Sequence, residues 1–121
     1  MMIKCLIWNI RGLNDPAKRR AIKDMVLANI VHICCLQETK MVTVDRQTIA
    51  DLGAGKLDEW AFKEARGAAG GILICWDSSV WQAVDKAVGT YSILVLMEDK
   101  RSGSRWCCSC VYGPHEDEEK E

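Results

Sequence analysis

The sequence predicts a mixed α/β fold in which strands outnumber helices, and three observations lead to this prediction. Two apolar runs, residues 2–9 (MIKCLIWN) and 31–37 (VHICCLQ), have the length and composition of buried strands. Residues 17–28, which lie between them, place apolar and charged side chains on opposite sides of a helix. The second half of the chain consists of short apolar runs separated by turns that contain glycine or serine. The chain should therefore open with a β-α-β unit, whose parallel strands are buried on both faces, and continue in short strands.

The predicted helix has a defined start. Asp15 offers a carboxylate to the free amide groups, and Pro16 fits the first helical position. The opposite side of the helix carries the charged residues Lys18, Arg19, Arg20, Lys23 and Asp24. We expect this side to be solvated and to point away from the strand ends rather than to bind nucleic acid.

The second half of the chain is predicted to form antiparallel hairpins, because its links are short. Weak helical character covers residues 46–52, and residues 60–65 favour a short strand. After a turn at residues 66–71 (RGAAGG), further strands are predicted at 72–76, 80–88, 92–98 and 105–112. One convincing helix cannot cover so many strands, so the chain should either dimerise or form part of a larger fold, and we favour the larger fold.

The composition is that of a soluble globular domain, with 49% hydrophobic and 27% charged residues among 121. The last six residues (EDEEKE) carry five acids and one lysine, so residues 1–115 carry +3 although the whole chain carries −1. Residues 116–121 are predicted to be a disordered acidic tail. A weakly basic body permits a polyanionic partner without requiring one.

The seven cysteines are odd in number, contain no C-x-x-C pair and lie mostly in apolar runs. This pattern favours buried reduced thiols over disulfides or zinc ligands. Reduced thiols, no signal peptide and no apolar segment of about 20 residues predict a nuclear or cytoplasmic protein that is neither secreted nor membrane-spanning. His32 and three of the five tryptophans, Trp76, Trp81 and Trp106, are expected in the core.

Two polar side chains stand where neighbouring strands should end. Asn9 closes the first strand, and Glu38 follows the second in CLQETK. Adjacent parallel strands that end together place their last side chains at one edge of the sheet, where open α/β sheets bind ligands. A carboxylate beside an amide there could hold Mg²⁺. Water and phosphate oxygens would complete the coordination shell of the ion. Spacing alone leaves alternatives open, since Glu38 also suits a capping or solvated loop position and IWNIRGLN could be an ordinary strand-to-helix turn.

Four segments together resemble the endonuclease/exonuclease/phosphatase superfamily: IKCLIWNIRGLN, ICCLQETK, RGAAGGILICW and VYGP, in this order. They look closest to the apurinic-endonuclease-like domain of plant LINE-type (non-LTR) retrotransposons. The resemblance runs from residue 3 to about residue 115. It implies the N-terminal half of a two-layer β-sandwich flanked by helices, deoxyribonuclease-I-like, with residues 1–115 forming a partial domain.

The resemblance also implies a set of site residues. Asn9 and Glu38 would line the catalytic pocket, and Glu38, with Asn9 beside it, would bind Mg²⁺ or Mn²⁺. Tyr112 of YGPH matches a family tyrosine close to the scissile phosphate and is the third catalytic candidate. His115 stands where the family often has asparagine, and His115 and Arg66 are candidate phosphate contacts. DNA is the implied partner, and no membrane partner is expected.

Two segments of the family pattern, Gly-Asp-Phe-Asn and Ser-Asp-His, are not found in this sequence. The resemblance therefore implies a Mg²⁺-dependent endonuclease domain that nicks DNA but is truncated and catalytically incomplete. One alternative is a non-enzymatic remnant of a retroelement protein with weak or no nucleic-acid binding. A second is a phosphoinositide or sphingomyelin phosphodiesterase of the same superfamily. Self-association through an uncovered sheet is a further expectation.

Overall fold

Seven strands and two helices run through the part of the chain that the structure describes. The structure is a computed structural model that describes residues 4–66 and 70–111. In chain order the elements are β1 (Cys5–Asn9), α1 (Pro16–Ala28), β2 (Ile33–Gln37), α2 (Arg46–Gly53), β3 (Glu59–Lys63), β4 (Ile72–Trp76), β5 (Trp81–Val88), β6 (Ser92–Asp99) and β7 (Arg105–Val111). The predicted acidic tail, residues 116–121, lies outside the described residues.

The strands form two sheets. The first has the order β1-β2-β4-β3, in which β1 runs parallel to β2 and β4 runs antiparallel to both of its neighbours. The second has the order β5-β6-β7 and is antiparallel throughout. The opening β-α-β unit and the later hairpins are thus confirmed. The insertion of β4 between β2 and β3 has no counterpart in the sequence pattern.

The first sheet separates two hydrophobic cores. On one face, its side chains pack with apolar residues of α1 and α2, including Ile22, Val26, Ile49 and Leu52. On the other face they pack against the inward side chains of the second sheet. The three layers are therefore helices, first sheet and second sheet, which is a β-sandwich with helices on one outer face.

Both helices begin at an aspartate that caps free backbone amides. The Asp15 carboxylate accepts a hydrogen bond from the Ala17 amide of α1 at 2.9 Å. The Asp45 carboxylate accepts from the Thr48 amide of α2 at 2.9 Å and from the Thr48 hydroxyl at 2.8 Å. The expectation of only one convincing helix is wrong. The cap at Asp45 and the buried apolar side of α2 compensate for its short length.

The expectation that β1 is buried on both faces is also wrong. β1 is an edge strand, and Ile7 is 68% exposed although its parallel neighbour in the ladder, Cys35, is 5% exposed. Ile7 and Cys35 share the face that looks toward the second sheet, but that sheet ends at β7, which lies against β2. The hydrophobic pattern identified β1 correctly as a strand. It could not show that, among the described residues, the second sheet does not extend over the Ile7 face of β1.

The core assignments are largely confirmed. Trp76 and Trp81 are each 2% exposed, and the Trp81 and Trp106 rings meet edge to face with centroids 5.3 Å apart. The Nδ1 atom of the half-buried His32 accepts a hydrogen bond from the Lys4 amide at 3.0 Å. Five cysteines are buried, whereas Cys5 and Cys107 are exposed, and all seven are free thiols. Neither described helix has the length and apolarity needed to cross a membrane.

Candidate functional site

The candidate site lies where β1 and β2 end side by side. The last pair of their parallel ladder is Asn9 opposite Gln37, and the Ile10 amide extends the pairing to the Gln37 carbonyl at 3.0 Å. Glu38 is the next residue after β2. The structure thus brings Asn9 and Glu38 to one edge of the first sheet, while their functional roles stay predictions.

Backbone hydrogen bonds join three loops at this edge: the first loop (residues 10–15, after β1), the Glu38 loop (residues 38–45, after β2) and residues 70–71 before β4. The Gly12 amide donates to the Glu38 carbonyl at 2.8 Å, and the Leu13 amide donates to the Thr39 carbonyl at 2.8 Å. On the other side, the Thr39 and Lys40 amides donate to the carbonyls of Gly71 and Gly70, at 3.2 and 2.9 Å. The loop that carries Glu38 is therefore held from both sides, as a residue that positions a ligand requires.

Left-handed backbone is concentrated in the same loops. Of the four non-glycine residues with positive φ in the described part of the chain, Arg11, Glu38 and Lys40 lie here, at φ 52°, 54° and 58°. A left-handed conformation costs an L-residue about 1–2 kcal/mol. Such strain persists where surrounding bonds enforce it and is typical of ligand-binding sites. At Glu38 the conformation turns the chain out of the extended β2 direction at the residue that would meet a ligand.

The backbone at Gly71 packs closely against Thr39 and Lys40 at this edge. Its φ is +94°, and a Cβ atom there would overlap the Thr39 hydroxyl and lie 3.1 Å from the Lys40 backbone nitrogen. Thr39 is fully buried, and its hydroxyl accepts a hydrogen bond from the Met41 amide at 3.3 Å. Only glycine fits here, because the neighbouring backbone cannot swing aside as a long side chain could.

Two basic side chains of α1 support the first loop from behind. The Lys18 ammonium donates to the Arg11 carbonyl at 2.8 Å, and the Arg19 Nε donates to the Leu13 carbonyl at 2.6 Å. The expectation that these residues point away from the strand ends is wrong. Side chains in a helix lean toward its N-terminus, and α1 begins directly after the loop, so its first turn reaches back to the loop carbonyls. Arg19 also lines an open groove of about 560 Å³ beside α2, together with Arg20 and Lys23.

The electrostatics of the site centre on one carboxylate. The Glu38 side chain is 21% exposed, and its Oε2 lies 3.9 Å from Nε of Arg11, whose side chain is 78% exposed. A long, exposed ion pair of this kind contributes little stability. The Arg11 guanidinium therefore places a positive charge beside Glu38 but is held too weakly to keep the Glu38 carboxylate from binding another cation.

Mg²⁺ fits this edge only in part. Magnesium commonly takes one or two protein carboxylates and fills its remaining positions with water and phosphate oxygens. Glu38 offers one carboxylate and Asn9 an amide oxygen. Within residues 4–66 and 70–111, no three His, Cys, Asp or Glu side chains gather as a metal-binding group. The described residues thus provide an incomplete ligand set of the type that Mg²⁺ accepts.

The other predicted site residues are less well defined by the structure. Arg66 is exposed and follows Ala65, whose amide donates to the Met41 carbonyl at 2.8 Å, so Arg66 lies near the Glu38 loop. Tyr112 and His115 lie outside the described residues. The last described residue, Val111, accepts a hydrogen bond on its carbonyl from the Gln37 amide group at 2.8 Å, so β7 ends close to the same edge.

The sandwich with helices outside its first sheet is a deoxyribonuclease-I-like α/β fold, and two solved structures share it. The catalytic domain of human Nocturnin with bound sulfate anion has 18% sequence identity and a TM-score of 0.64, over 88% of this chain and 48% of that chain. The AP endonuclease LMAP from Leishmania major has 18% identity and a TM-score of 0.58, over 91% of this chain and 40% of that one. The chain therefore spans less than half the length of either structure.

The chain belongs to the Endonuclease/Exonuclease/phosphatase family, whose sequence model matches residues 6–109. No curated protein sequence matches the chain significantly. The predicted superfamily and fold class are thus confirmed, whereas the closeness to LINE-type retrotransposons stays a prediction.

Proposed function

We propose that this chain supplies part of the active site of a Mg²⁺-dependent phosphodiester hydrolase that nicks DNA, of the type carried by LINE retrotransposons. The observation that carries the proposal is the position of Glu38. It is a partly exposed carboxylate in a strained, doubly hydrogen-bonded loop at the strand edge that it shares with Asn9. Membership of the family supports a hydrolase in general.

Each candidate residue has a chemical role that its surroundings permit. Glu38 and Asn9 would hold Mg²⁺ or Mn²⁺, and the bound metal would polarise a phosphoryl oxygen and stabilise the leaving oxygen. The Asn9 amide group could also donate a hydrogen bond to a phosphate oxygen. Arg66 brings exposed positive charge to the neighbourhood of the loop, where a DNA backbone would pass. Tyr112 and His115 are proposed as further contacts to the phosphate.

Activity of the chain by itself should be low. Enzymes that hydrolyse phosphodiesters work near the top of the catalytic range, at about 10¹⁷-fold or roughly 23 kcal/mol of barrier reduction. The Gly-Asp-Phe-Asn and Ser-Asp-His segments are absent from the sequence, so a general base and a second set of donors are missing. Catalytic groups that act together lose most of their effect when one is removed.

The incomplete metal ligand set within residues 4–66 and 70–111 favours one alternative, a non-enzymatic remnant that binds nucleic acid weakly or not at all. In that case the edge formed by Asn9 and Glu38 would persist as a structural feature of the fold without supporting turnover.

A nicking assay separates the two functions. Supercoiled plasmid is incubated with Mg²⁺ and the full chain, either unchanged or carrying Glu38→Gln or Glu59→Gln. Glu59 is a partly exposed carboxylate at the opposite end of the first sheet, paired with Arg46 at 3.7 Å, and so serves as a matched control. We expect weak, Mg²⁺-dependent nicking that Glu38→Gln abolishes and Glu59→Gln preserves. Equal signals from all three proteins would favour the remnant, and turnover of a phosphoinositide or sphingomyelin instead of DNA would favour a phospholipid phosphodiesterase.

A further inference from the structure

We propose that Cys35, Cys108 and Cys110 form a peroxide-sensitive thiol cluster that closes a disulfide between the two sheets, first between Cys35 and Cys108. Cys35 lies in the middle of β2, in the first sheet. Cys108 and Cys110 lie in β7, in the second sheet. The three residues belong to the core between the sheets and are 5%, 8% and 4% exposed.

The two sulfurs of the proposed pair already touch. The Cys35 and Cys108 Sγ atoms are 3.8 Å apart, and a disulfide bond is about 2.05 Å long, so they need to approach by about 1.8 Å. The same two strands are joined at their ends by the hydrogen bond from Gln37 to the Val111 carbonyl, at 2.8 Å. The contact between the two sulfurs therefore lies where β2 packs against β7 across the sandwich, beside a hydrogen bond that joins the ends of the two strands.

The cluster divides the roles of nucleophile and proton holder between its members. A side-chain hydrogen bond with Cys35 lowers the pKa of Cys108 and of Cys110, and this effect outweighs the opposing effect of burial. The same hydrogen bonds, together with burial, raise the pKa of Cys35. These directions favour Cys108 or Cys110 over Cys35 as the thiol that loses its proton and attacks. A thiol of lowered pKa beside a second thiol is the arrangement that redox-sensitive cysteines use.

Solvent reaches this region from the open side of the sandwich. Ile7, the neighbour of Cys35 in the ladder with β1, is 68% exposed, and Cys5 of the same strand is exposed. Cys35 and Cys108 are themselves 5% and 8% exposed, so we expect a molecule as small as hydrogen peroxide to reach their sulfurs from this side.

The chemistry balances with hydrogen peroxide as the oxidant. The Cys108 thiolate attacks one peroxide oxygen, so a sulfur–oxygen bond forms, the oxygen–oxygen bond breaks and hydroxide leaves, taking up a proton to become water. The Cys35 sulfur then gives up its proton and attacks the sulfur of the resulting sulfenic acid. A sulfur–sulfur bond forms, and the oxygen departs as a second water. Two thiols lose two electrons in total, and one peroxide gains them.

Two other cysteine arrangements provide internal controls. Cys34 and Cys75 face each other on β2 and β4 in the other core, so a bond between them would stay within the first sheet. Cys107 is exposed and precedes Cys108. Cys110 lies in the same core as Cys35 and its pKa is lowered by Cys35, so it can replace Cys108 as the partner through thiol exchange.

A non-reducing tryptic map of the peroxide-treated full chain tests the proposal. Cleavage after lysine and arginine leaves Cys34 and Cys35 in peptide 24–40, Cys75 in peptide 67–86, and Cys107, Cys108 and Cys110 in peptide 106–120. We expect a bond that joins peptides 24–40 and 106–120 and that dithiothreitol removes. It should form in wild type, Cys34→Ser and Cys107→Ser and be lost in Cys35→Ser.

The wild-type map alone can overturn the proposal, so the test does not depend on how a serine variant folds. A wild-type chain that shows only a bond between peptides 24–40 and 67–86, or no bond between 24–40 and 106–120, contradicts it. So does an inter-sheet bond that persists in Cys35→Ser. A dithiothreitol-reversible rise of the thermal midpoint on oxidation provides a second readout, because the bond would join distant parts of the chain.

Discussion

The packing of Gly71 against the Glu38 loop makes a quantitative prediction for Gly71→Ala. The new methyl group must accept a φ of +94° and overlap the buried Thr39 hydroxyl, with the Lys40 backbone nitrogen 3.1 Å away. Left-handed strain costs about 1–2 kcal/mol. Overpacking against fixed atoms costs about 1–3 kcal/mol more. We therefore expect a loss of roughly 2–5 kcal/mol in the free energy of unfolding.

Gly103→Ala is the matched control, because Gly103 has a φ of +75° but nothing within 4 Å of an added Cβ. It should lose only the strain of about 1–2 kcal/mol. Urea unfolding, monitored by tryptophan fluorescence, measures the free energy of unfolding of both variants. If this free energy falls by about 2 kcal/mol per molar of urea, a difference of about 2 kcal/mol between the variants separates their unfolding midpoints by about 1 M. Equal losses in the two variants would refute the tight contact between Gly71 and the Glu38 loop.

Three further predictions follow from contacts elsewhere. Arg19→Met removes a charged hydrogen bond to the Leu13 carbonyl and should lower the free energy of unfolding by about 1.5–3 kcal/mol, measured in urea. Arg20→Met, at an exposed position, should lower it by less than about 0.5 kcal/mol. Similar losses in the two variants would contradict the supporting role of Arg19. Burial raises the pKa of Asp58, but two hydrogen bonds from Ser78 lower it by more, so the pKa in the folded protein lies below its ordinary value. The contribution of Asp58 to folding stability is therefore fully present above the unfolded pKa and is lost as pH falls through the folded pKa. Asp58→Asn should therefore flatten the acid limb of the thermal midpoint against pH, and an unchanged limb would count against this. Ile7→Lys places charge on the open β1 edge and should reduce any concentration-dependent self-association in sedimentation, and unchanged association would exclude this edge as the contact.

The sequence predicted the fold where hydrophobic pattern and turn chemistry agree. The parallel β1–β2 pair, the helix after Asp15 and the hairpins of the second half follow from local signals. α2 was underestimated, because a helix of 8 residues owes its stability to the Asp45 cap and to packing against α1 rather than to its own propensity. The exposure of β1 depends on which strands face it from the second sheet, and local sequence holds no information about that.

The candidate site was predictable in position but not in detail. Asn9 and Glu38 lie at one edge of the first sheet because β1 and β2 run parallel and end together. The return of Lys18 and Arg19 to the loop carbonyls was missed, although a basic first turn directly after a loop is a signal that could have indicated it. The meeting of Cys35 with Cys108 arises from the alignment of two sheets, which no spacing in the chain reveals.

Paramagnetic relaxation by Mn²⁺ tests the central claim, that the edge formed by Asn9 and Glu38 binds a divalent metal, without requiring turnover. Substoichiometric Mn²⁺ is added to the ¹⁵N-labelled full chain, and amide signals are compared for wild type, Glu38→Gln and Glu59→Gln. We expect selective broadening of amides in residues 9–12 and 38–40 that Glu38→Gln removes and Glu59→Gln retains. Broadening confined to the acidic residues 116–121, or broadening at the edge that survives Glu38→Gln, would contradict the claim.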